Sequence, residues 1–386
     1  MSRRLRSAGA AVASAHAITG PIRADRRTKD LVKRLQPGDI AVIDHEDLDR
    51  VAAESLVRAE PAAVVNAARS ISGRYPNVGP LLLAAAGIPL LDGAGSGLID
   101  ACEEGAPGTL VGSVLRVGRK EVAQGVRQTL DTLEVSYGES ERNIGPALEA
   151  FVENTATFIG KEAHLFLPGS LEIPPIGLDL TGRHALIVVR GADYRDDLRL
   201  LRQTGYLGEK RPALIGVDGG ADALLELGLR PDVIIGDFDS VSERALRCGA
   251  VLIVHAFPSG AAPGAARLED LGLDYLRFEA PGTSEDIAML LADHHGAELL
   301  VAVGTHSSMV DFLDKGRPGM ASTVLVRMML GPKLVDAKGV SRLYQTTVRG
   351  RDLLGMVFAA LLTVAAFSIV SEPVRLLLRS IWYRFT

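Results

Sequence analysis

The pattern of apolar and polar residues predicts short strands that alternate with helices along most of the chain. In the first part, strands are predicted at 39–44, 62–66 and 88–91, and helices at 48–56 and 78–86. Short apolar runs bounded by turn residues are typical of buried strands, whereas longer runs with a helical repeat are typical of helices. This alternation predicts an α/β fold.

A candidate phosphate loop follows one of the apolar strands in the second part of the chain. The strand predicted at 213–217 leads into Asp218-Gly219-Gly220 and then into a helix. Glycines let backbone N–H groups approach an anion closely, and the start of a helix attracts negative charge. The spacing of strand, glycines and helix therefore favours a bound phosphate.

The next apolar strand leads into two aspartates, Asp237 and Asp239, that flank Phe238. Side chains alternate along an extended backbone, so we expect the carboxylates on one face and Phe238 on the other. Two carboxylates about 5 Å apart repel by roughly 3 kcal/mol at an effective dielectric near 20, which favours a cation or a shared proton. Mg²⁺ binds through one or two carboxylates, so both aspartates are predicted metal ligands. The alternative is a helix start with a capping box formed by Ser240 and Glu243.

The two junctions together resemble the thiamine pyrophosphokinase family over residues 183–319. That family has a doubly wound α/β domain and transfers a diphosphate from ATP to a hydroxymethyl substrate with Mg²⁺. The resemblance therefore implies Mg²⁺ and a nucleotide or diphosphate as ligands. The residues that it implies are Asp218, Gly219, Gly220, Ser284, Asp286 and Gly304 for the ligand, and Asp237 and Asp239 for the metal.

The chain departs from this family at positions that matter for catalysis. Met289 stands where the family has a phosphate-facing lysine, and residues 304–309 lack its arginine and its aspartate-histidine pair. After Pro318 there is no room for the β-sandwich that helps to form the thiamine pocket. These departures favour a non-catalytic nucleotide- or diphosphate-binding scaffold, and the alternative is an active Mg²⁺-dependent diphosphokinase acting on an unknown alcohol. For Asp286 the alternative is a helix cap with Thr283.

The first part of the chain resembles the swivelling phosphohistidine domain of phosphoenolpyruvate-utilising enzymes. Residues 38–42, 79–89 and 112–115 echo that family's motifs, but its histidine would fall at Val78. The resemblance therefore implies a swivelling β/β/α-like fold that does not carry a phosphoryl group.

An uncharged hydrophobic run occupies residues 353–370. At about 1.5 Å per residue its length approaches the ~30 Å of a bilayer core, and Trp382 and Tyr383 suit a membrane interface. The run predicts one C-terminal transmembrane helix that holds the chain at the inner face of the membrane, with most of it cytoplasmic. The alternative is a buried core helix.

Composition narrows the classes of function. The chain has 386 residues, enough for two domains, and its net charge of −5 gives no reason to expect a nucleic-acid partner. Its two cysteines, Cys102 and Cys248, argue against a disulfide framework and suit a reducing compartment. The first segment, 1–32, is basic and too weakly hydrophobic for a signal peptide, so we expect a basic arm there.

The order of these parts resembles the SteA family of actinobacterial cytokinetic-ring proteins. That resemblance implies a role in cell division and a SteB-like membrane protein as partner, and we also expect a homodimer. The predicted architecture is a swivelling β/β/α-like domain, a doubly wound thiamine pyrophosphokinase-like α/β domain and a C-terminal transmembrane helix. The predicted boundaries are 1–32 for the arm, 33–119 for the swivelling domain, 120–182 for a helical connector and linker, 183–335 for the pyrophosphokinase-like domain and 336–386 for the membrane anchor.

Overall fold

The computed structural model describes residues 17–166, 170–305, 309, 312–313, 320–338 and 350–385. Several predictions fall outside these described residues: most of the basic arm at 1–16, the loop residues 306–308 and the start of the predicted anchor at 339–349. The chain divides into two units, 1–338 and 339–386. The first unit contains two sheets, which define a first and a second domain.

The first domain is built on an eight-stranded mixed sheet. Its strands are β1 (Ile18–Asp25), β2 (Ile40–Ile43), β3 (Ala63–Asn66), β4 (Leu90–Asp92), β5 (Pro107–Val111), β6 (Val114–Val117), β7 (Lys120–Gln124) and β8 (Val126–Gln128). They lie in the order β7-β6-β5-β1-β2-β3-β4-β8. Strands β1 to β4 are parallel, and the outer strands pair antiparallel. Ile22, Val42 and Val65 lie in the core on one side of this sheet.

Helices pack on this sheet and connect it to the second domain. They are α1 (Thr28–Leu31), α2 (Arg50–Ala59), α3 (Gly79–Ala85), α4 (Leu98–Ala101), α5 (Leu130–Arg142) and α6 (Ile144–Glu162). The strands and helices predicted between 39 and 91 are confirmed with small shifts of their ends. The structure corrects two predicted boundaries. Ile18–Asp25 is a central strand and not part of an arm. Residues 120–128 form two strands and not the start of the helical connector. The local pattern misses both because each segment is stabilised by pairing with strands elsewhere in the sheet.

The second domain is a seven-stranded parallel sheet. Its strands are β9 (His184–Val188), β10 (Ala213–Val217), β11 (Val233–Gly236), β12 (Val251–Ala256), β13 (Leu276–Glu279), β14 (Leu299–Val303) and β15 (Leu334–Asp336). Its helices are α7 (Tyr194–Gln203), α8 (Tyr206–Lys210), α9 (Gly220–Glu226), α10 (Glu243–Leu246), α11 (Ala265–Asp270), α12 (Ser284–His294) and α13 (Met320–Leu330). The strand order is β13-β12-β11-β10-β9-β14-β15.

Apolar side chains cover both faces of the second sheet. Ile235 and Ile253 point to a core shared with Ile287 of α12. Their neighbours Ile234 and Leu252 point to the opposite core. Because both faces are buried, the strands are nearly continuous apolar runs, as expected for a parallel sheet. The α/β part of the predicted fold class is therefore confirmed.

The strand order of the second domain creates a switch point between β9 and β14. From β9, the sheet grows through β10 to β13 on one side and through β14 and β15 on the other. Ligands of open α/β sheets bind outside the carboxyl ends of the strands at such a point, because the connections there diverge and leave a crevice. The loops at this edge are therefore the expected location of a ligand site.

The second unit contains α14 (Gly350–Val370) and α15 (Glu372–Phe385). A helix that crosses a bilayer needs about 20 predominantly apolar residues. In the parts of the chain that the structure describes, no helix meets the combined requirement of length and apolar character for crossing a membrane. The predicted transmembrane helix at 353–370 is therefore wrong, and so is the predicted localisation at the membrane, which rested on it.

Candidate functional site

The loops that follow β10 and β11 lie side by side at the carboxyl edge of the sheet. Val217 pairs with Ile235 in the ladder, and the Asp218 N–H donates to the carbonyl of Ile235 at 3.0 Å. The Phe238 N–H in turn donates to Asp218 Oδ1 at 3.0 Å. These bonds bring the predicted phosphate loop and the predicted metal ligands together.

The segment from Asp237 to Asp239 is a tight turn and not a continued strand. Phe238 has a left-handed backbone, with φ of 59°, and its side chain is completely buried. Asp237 and Asp239 are exposed, so the carboxylates and the Phe238 ring point to opposite sides, as predicted. The turn, and not an extended backbone, produces this arrangement. Arg267, which the sequence reasoning missed, donates to the carbonyls of Phe238 and Val241 and fixes this turn.

Three carboxylates share this edge, and their electrostatics favour a bound cation. Burial, followed by the charges of Asp237 and Asp239, raises the pKa of Asp218 to about 7. Asp239 behaves differently: burial acts to raise its pKa, but Lys29 of α1 donates to its carboxylate and holds the pKa below its ordinary value. Without more positive charge, Asp218 is therefore partly protonated near neutral pH.

Ser240 links the two loops and does not cap a helix. The Gly219 N–H donates to Ser240 Oγ at 3.2 Å. Helix α10 is capped instead by Ser242, whose hydroxyl accepts from the Ala245 N–H at 3.2 Å. The alternative interpretation of the two aspartates, a capping box with Ser240, is therefore wrong.

Close backbone approaches explain why glycines occupy this edge. A Cβ at Gly220 would overlap the carbonyl oxygen of Val188 at the end of β9. A Cβ at Gly236 would overlap the Asp218 carboxylate, and Gly236 also has φ of 154°. Only glycine avoids these overlaps, so the loops after β9, β10 and β11 can lie in contact.

The loops on either side of the switch point add polar groups that the sequence reasoning missed. Gly191, after β9, lies against Gly304, after β14, so closely that a Cβ on Gly191 would overlap the Gly304 carbonyl. Thr305 is 3% exposed, and its Oγ1 has no hydrogen-bond partner among the described residues. Arg190 lies against Gly219, and its buried Nε likewise lacks a partner in the described chain. A ligand with acceptor oxygens would satisfy such groups.

Asp286 completes the capping box of α12 together with the N-cap residue Thr283, as its alternative interpretation predicted. Its Oδ2 accepts from the Thr283 N–H at 2.9 Å, the Thr283 hydroxyl at 2.7 Å and the Thr323 hydroxyl of α13 at 2.6 Å. Burial, followed by the charge of Glu285, raises its pKa to about 6. Its Oδ1 has no hydrogen-bond partner in the described parts of the chain. The capping role therefore accounts for Oδ2 of Asp286 but not for its Oδ1.

His255 connects the end of β12 to the start of α12. Its Nδ1 lies 3.2 Å from Ser284 Oγ, and its Nε2 lies 3.1 Å from the carbonyl of Ala280, to which an Nε2–H donates. Burial lowers the pKa of His255. A histidine inside the apolar strand 251–256 was the available signal in the sequence. Ser284, a predicted ligand residue, is thus positioned by a neutral imidazole.

The Met289 side chain is completely buried in the core between α12 and the sheet. It faces apolar neighbours and contributes no charge to the carboxyl edge. The cation expected from this position by family resemblance is therefore absent.

The donor set at the turn suits Mg²⁺ that is shared with a ligand. Mg²⁺ prefers carboxylate oxygens and completes its octahedron with water and phosphate oxygens. Asp237 and Asp239 provide two exposed carboxylates next to each other. Within the described residues no group of three or more His, Cys, Asp or Glu could hold a metal ion, so this turn is not a closed metal site.

Fold and site together define a doubly wound α/β domain with polar loops at its carboxyl edge. Residues 338–386 match the family described as the SteA-like C-terminal domain. An 80-residue stretch, 20% of the chain, is 29% identical to 6-hydroxymethyl-7,8-dihydropterin pyrophosphokinase from Methanocaldococcus jannaschii, of which it covers 33%. The chain thus spans about a third of that relative's length. Thiamine pyrophosphokinase from Bacillus subtilis is similar over 40% of this chain and 60% of its own, with 21% identity and a TM-score of 0.25. Residues 338–386 are thus similar to the SteA-like C-terminal domain, and an 80-residue stretch of the chain is similar to part of a pyrophosphokinase.

Replacing Thr323 with valine should destabilise the second domain by about 1–2 kcal/mol, because a buried carboxylate loses a hydrogen-bond donor. The loss should be larger at pH 8 than at pH 5, since the bond favours the ionised form of Asp286. Denaturant unfolding at both pH values measures it. Thr157→Val is the matched control: Thr157 lies on the exposed face of α6, and its hydroxyl donates to the Glu153 carbonyl. Equal losses in the two variants would contradict a special role for the Thr323 bond.

Proposed function

We propose that the second domain binds a nucleotide or another diphosphate together with Mg²⁺, and that it acts as a scaffold without turnover. The observation that carries this proposal is the meeting of Asp218, Asp237 and Asp239 at the carboxyl edge of two adjacent strands. Carboxylates in this position repel one another, and that repulsion is relieved when a divalent cation binds. Asp237 and Asp239 would hold the ion, which would supply positive charge to the phosphates.

Polar atoms beside the switch point support a phosphate as the ligand. Thr305 Oγ1 is buried without a partner in the described chain, and so is Arg190 Nε. Leaving a buried donor unpaired costs about 1–3 kcal/mol, so a ligand that pairs these groups would recover that free energy. Phosphate oxygens accept from both hydroxyl and guanidinium donors.

The proposed absence of turnover rests on the lack of a cation at position 289, where the resembling family has a phosphate-facing lysine. Phosphoryl transfer is catalysed mainly by cations placed around the transferring group. Met289 is buried in the core, so α12 supplies no such cation. The second candidate is an active diphosphokinase, which the intact pair of Asp237 and Asp239 favours. The relative from Methanocaldococcus is named for a hydroxymethyl pterin, so an alcohol of that kind is the first substrate to test.

A role in cell division is part of the same proposal. It is supported by the match of residues 338–386 to the SteA-like C-terminal domain. In this role the bound diphosphate would stiffen the second domain. The stiffened domain would then favour one conformation of a surface that binds a SteB-like partner or a second copy of the chain. Such coupling between two binding events needs no catalysis.

We expect Mg²⁺ together with ADP or pyrophosphate to stabilise the full-length protein. At a ligand concentration of 100 Kd the stabilisation is about 2.7 kcal/mol, or several degrees in Tm. Thermal unfolding with each ligand, with and without Mg²⁺, measures it, and Asp237→Asn should lose the Mg²⁺-dependent part. If no phosphate ligand raises the Tm, the binding proposal fails. Release of AMP from ATP in the presence of an alcohol substrate would instead establish the enzyme.

A further inference from the structure

The first domain reaches the carboxyl edge of the second sheet through two ion pairs. Lys29, in α1, donates to the carboxylate of Asp239. Arg50, at the start of α2, donates to Asp193 Oδ1 at 2.5 Å, in the loop that follows β9. The loops after β9 and β11 are therefore both held from the first domain.

The contact between Lys29 and Asp239 is open to solvent. The Lys29 side chain is 50% exposed and that of Asp239 is 37% exposed. An ion pair this exposed contributes little to stability because water screens it, so the ammonium group can exchange Asp239 for another anion at small cost. Lys33, one turn further along, is 52% exposed, and its charge also acts on Asp239.

The carboxyl edge needs a cation if it is to hold an anion. Asp218, Asp237 and Asp239 repel phosphate, the guanidinium of Arg190 is already paired with Glu226, and the side chain at 289 is apolar and buried. A single Mg²⁺ shared by these groups leaves part of the charge of a diphosphate uncompensated. The Lys29 ammonium already contacts the Asp239 carboxylate, and the phosphates would lie beside that carboxylate.

We propose that the ligand site is shared between the two domains, with Lys29 of the first domain as the cation that the phosphate groups meet beside Asp239. This inference rests on the proposed binding of a phosphate ligand and names the residue that selects for it. On ligand binding, the Lys29 ammonium moves from the Asp239 carboxylate to a phosphate oxygen, and the first domain becomes part of the ligand's surroundings.

The test is calorimetric titration of full-length protein with inorganic pyrophosphate in the presence of Mg²⁺. We expect Lys29→Ala to weaken the affinity roughly tenfold to a hundredfold, the size of one charge-assisted hydrogen bond. Lys29→Arg, which keeps the charge, should retain most of the affinity. Lys120→Ala removes an exposed lysine of β7 and should bind like the wild type. The Tm of ligand-free Lys29→Ala should stay close to that of the wild type, because the ion pair is exposed.

The outcomes separate this inference from the binding proposal beneath it. If the wild type binds pyrophosphate and Lys29→Ala binds it equally well, the shared site is wrong and the binding proposal stands. Tighter binding by Lys29→Ala would also overturn the shared site, since Lys29 would then be a competitor for Asp239. If the wild type binds no pyrophosphate, both fail together.

Discussion

Replacing Asp218 with asparagine should make the ligand-free protein more stable at pH 8 and should leave its stability nearly unchanged at pH 4. In the folded chain the pKa of this carboxyl is raised to about 7 from its ordinary value of 3.8, first by burial and then by Asp237 and Asp239. The folded state therefore binds more protons than the unfolded state between these values, and stability falls as the pH rises through that window. Asparagine carries no charge, so the stability of the variant should not fall with rising pH in this way.

The expected gain from Asp218→Asn is about 2 kcal/mol above pH 7. A shift of about three pKa units corresponds to about 4 kcal/mol, and the cost of placing an amide NH2 group at this largely buried position offsets part of it. Asparagine also tolerates the left-handed backbone at this position, with φ of 46°, and keeps an acceptor for the Phe238 N–H. Melting curves between pH 4 and pH 8 measure the effect. Asp274→Asn, at an exposed position, is the control and should show no such trend.

A gain in stability from Asp218→Asn should come with weaker binding of Mg²⁺ and diphosphate, because the lost charge is the one that a cation neutralises. Such opposition between stability and function is expected where like charges are held together for a ligand. If the Asp218→Asn variant is no more stable than the wild type at pH 8, the three carboxylates do not repel one another as inferred.

Replacing Gly220 with alanine should destabilise the second domain by about 3 kcal/mol. The new Cβ would overlap the carbonyl oxygen of Val188, which lies in the interior strand β9 and cannot move without disturbing the ladders to β10 and β14. Gly208→Ala is the matched control: its Cβ would meet nothing within 4 Å, and it lies inside helix α8, so alanine should be neutral or slightly stabilising. Denaturant unfolding measures both changes. Equal stability of the two variants would show that the loops after β9 and β10 can separate freely.

Local patterns were sufficient to predict the elements around the candidate site. The apolar run before Asp218 forms a strand at the predicted 213–217, and the run before Asp237 also forms a strand, although that strand ends at Gly236 and the expected extended backbone does not continue through Asp239. The cap of α12 was also readable, because Thr283 and Asp286 have the spacing that a capping box requires. These features depend on residues close together in the chain.

Features that depend on distant pairing could not be predicted in this way. Lys29 and Asp239 are separated by 210 positions, and nothing local to either residue indicates the contact. The strand at Ile18–Asp25 contains a glycine and a proline and is stabilised by neighbours on both sides, which override its weak strand preference. Arg190 Nε and Thr305 Oγ1, which have no hydrogen-bond partner among the residues that the structure describes, can be recognised only when their burial is known.

The most direct test of diphosphate binding at the carboxyl edge is a calorimetric titration of pyrophosphate and Mg²⁺ into the wild type and into Asp237→Asn. We expect saturable binding of one pyrophosphate per chain that requires Mg²⁺ in the wild type, and a loss of that Mg²⁺ requirement together with most of the affinity in the variant. Binding that is absent from the wild type, or that is the same in both proteins, would contradict a metal-assisted diphosphate site at Asp237 and Asp239.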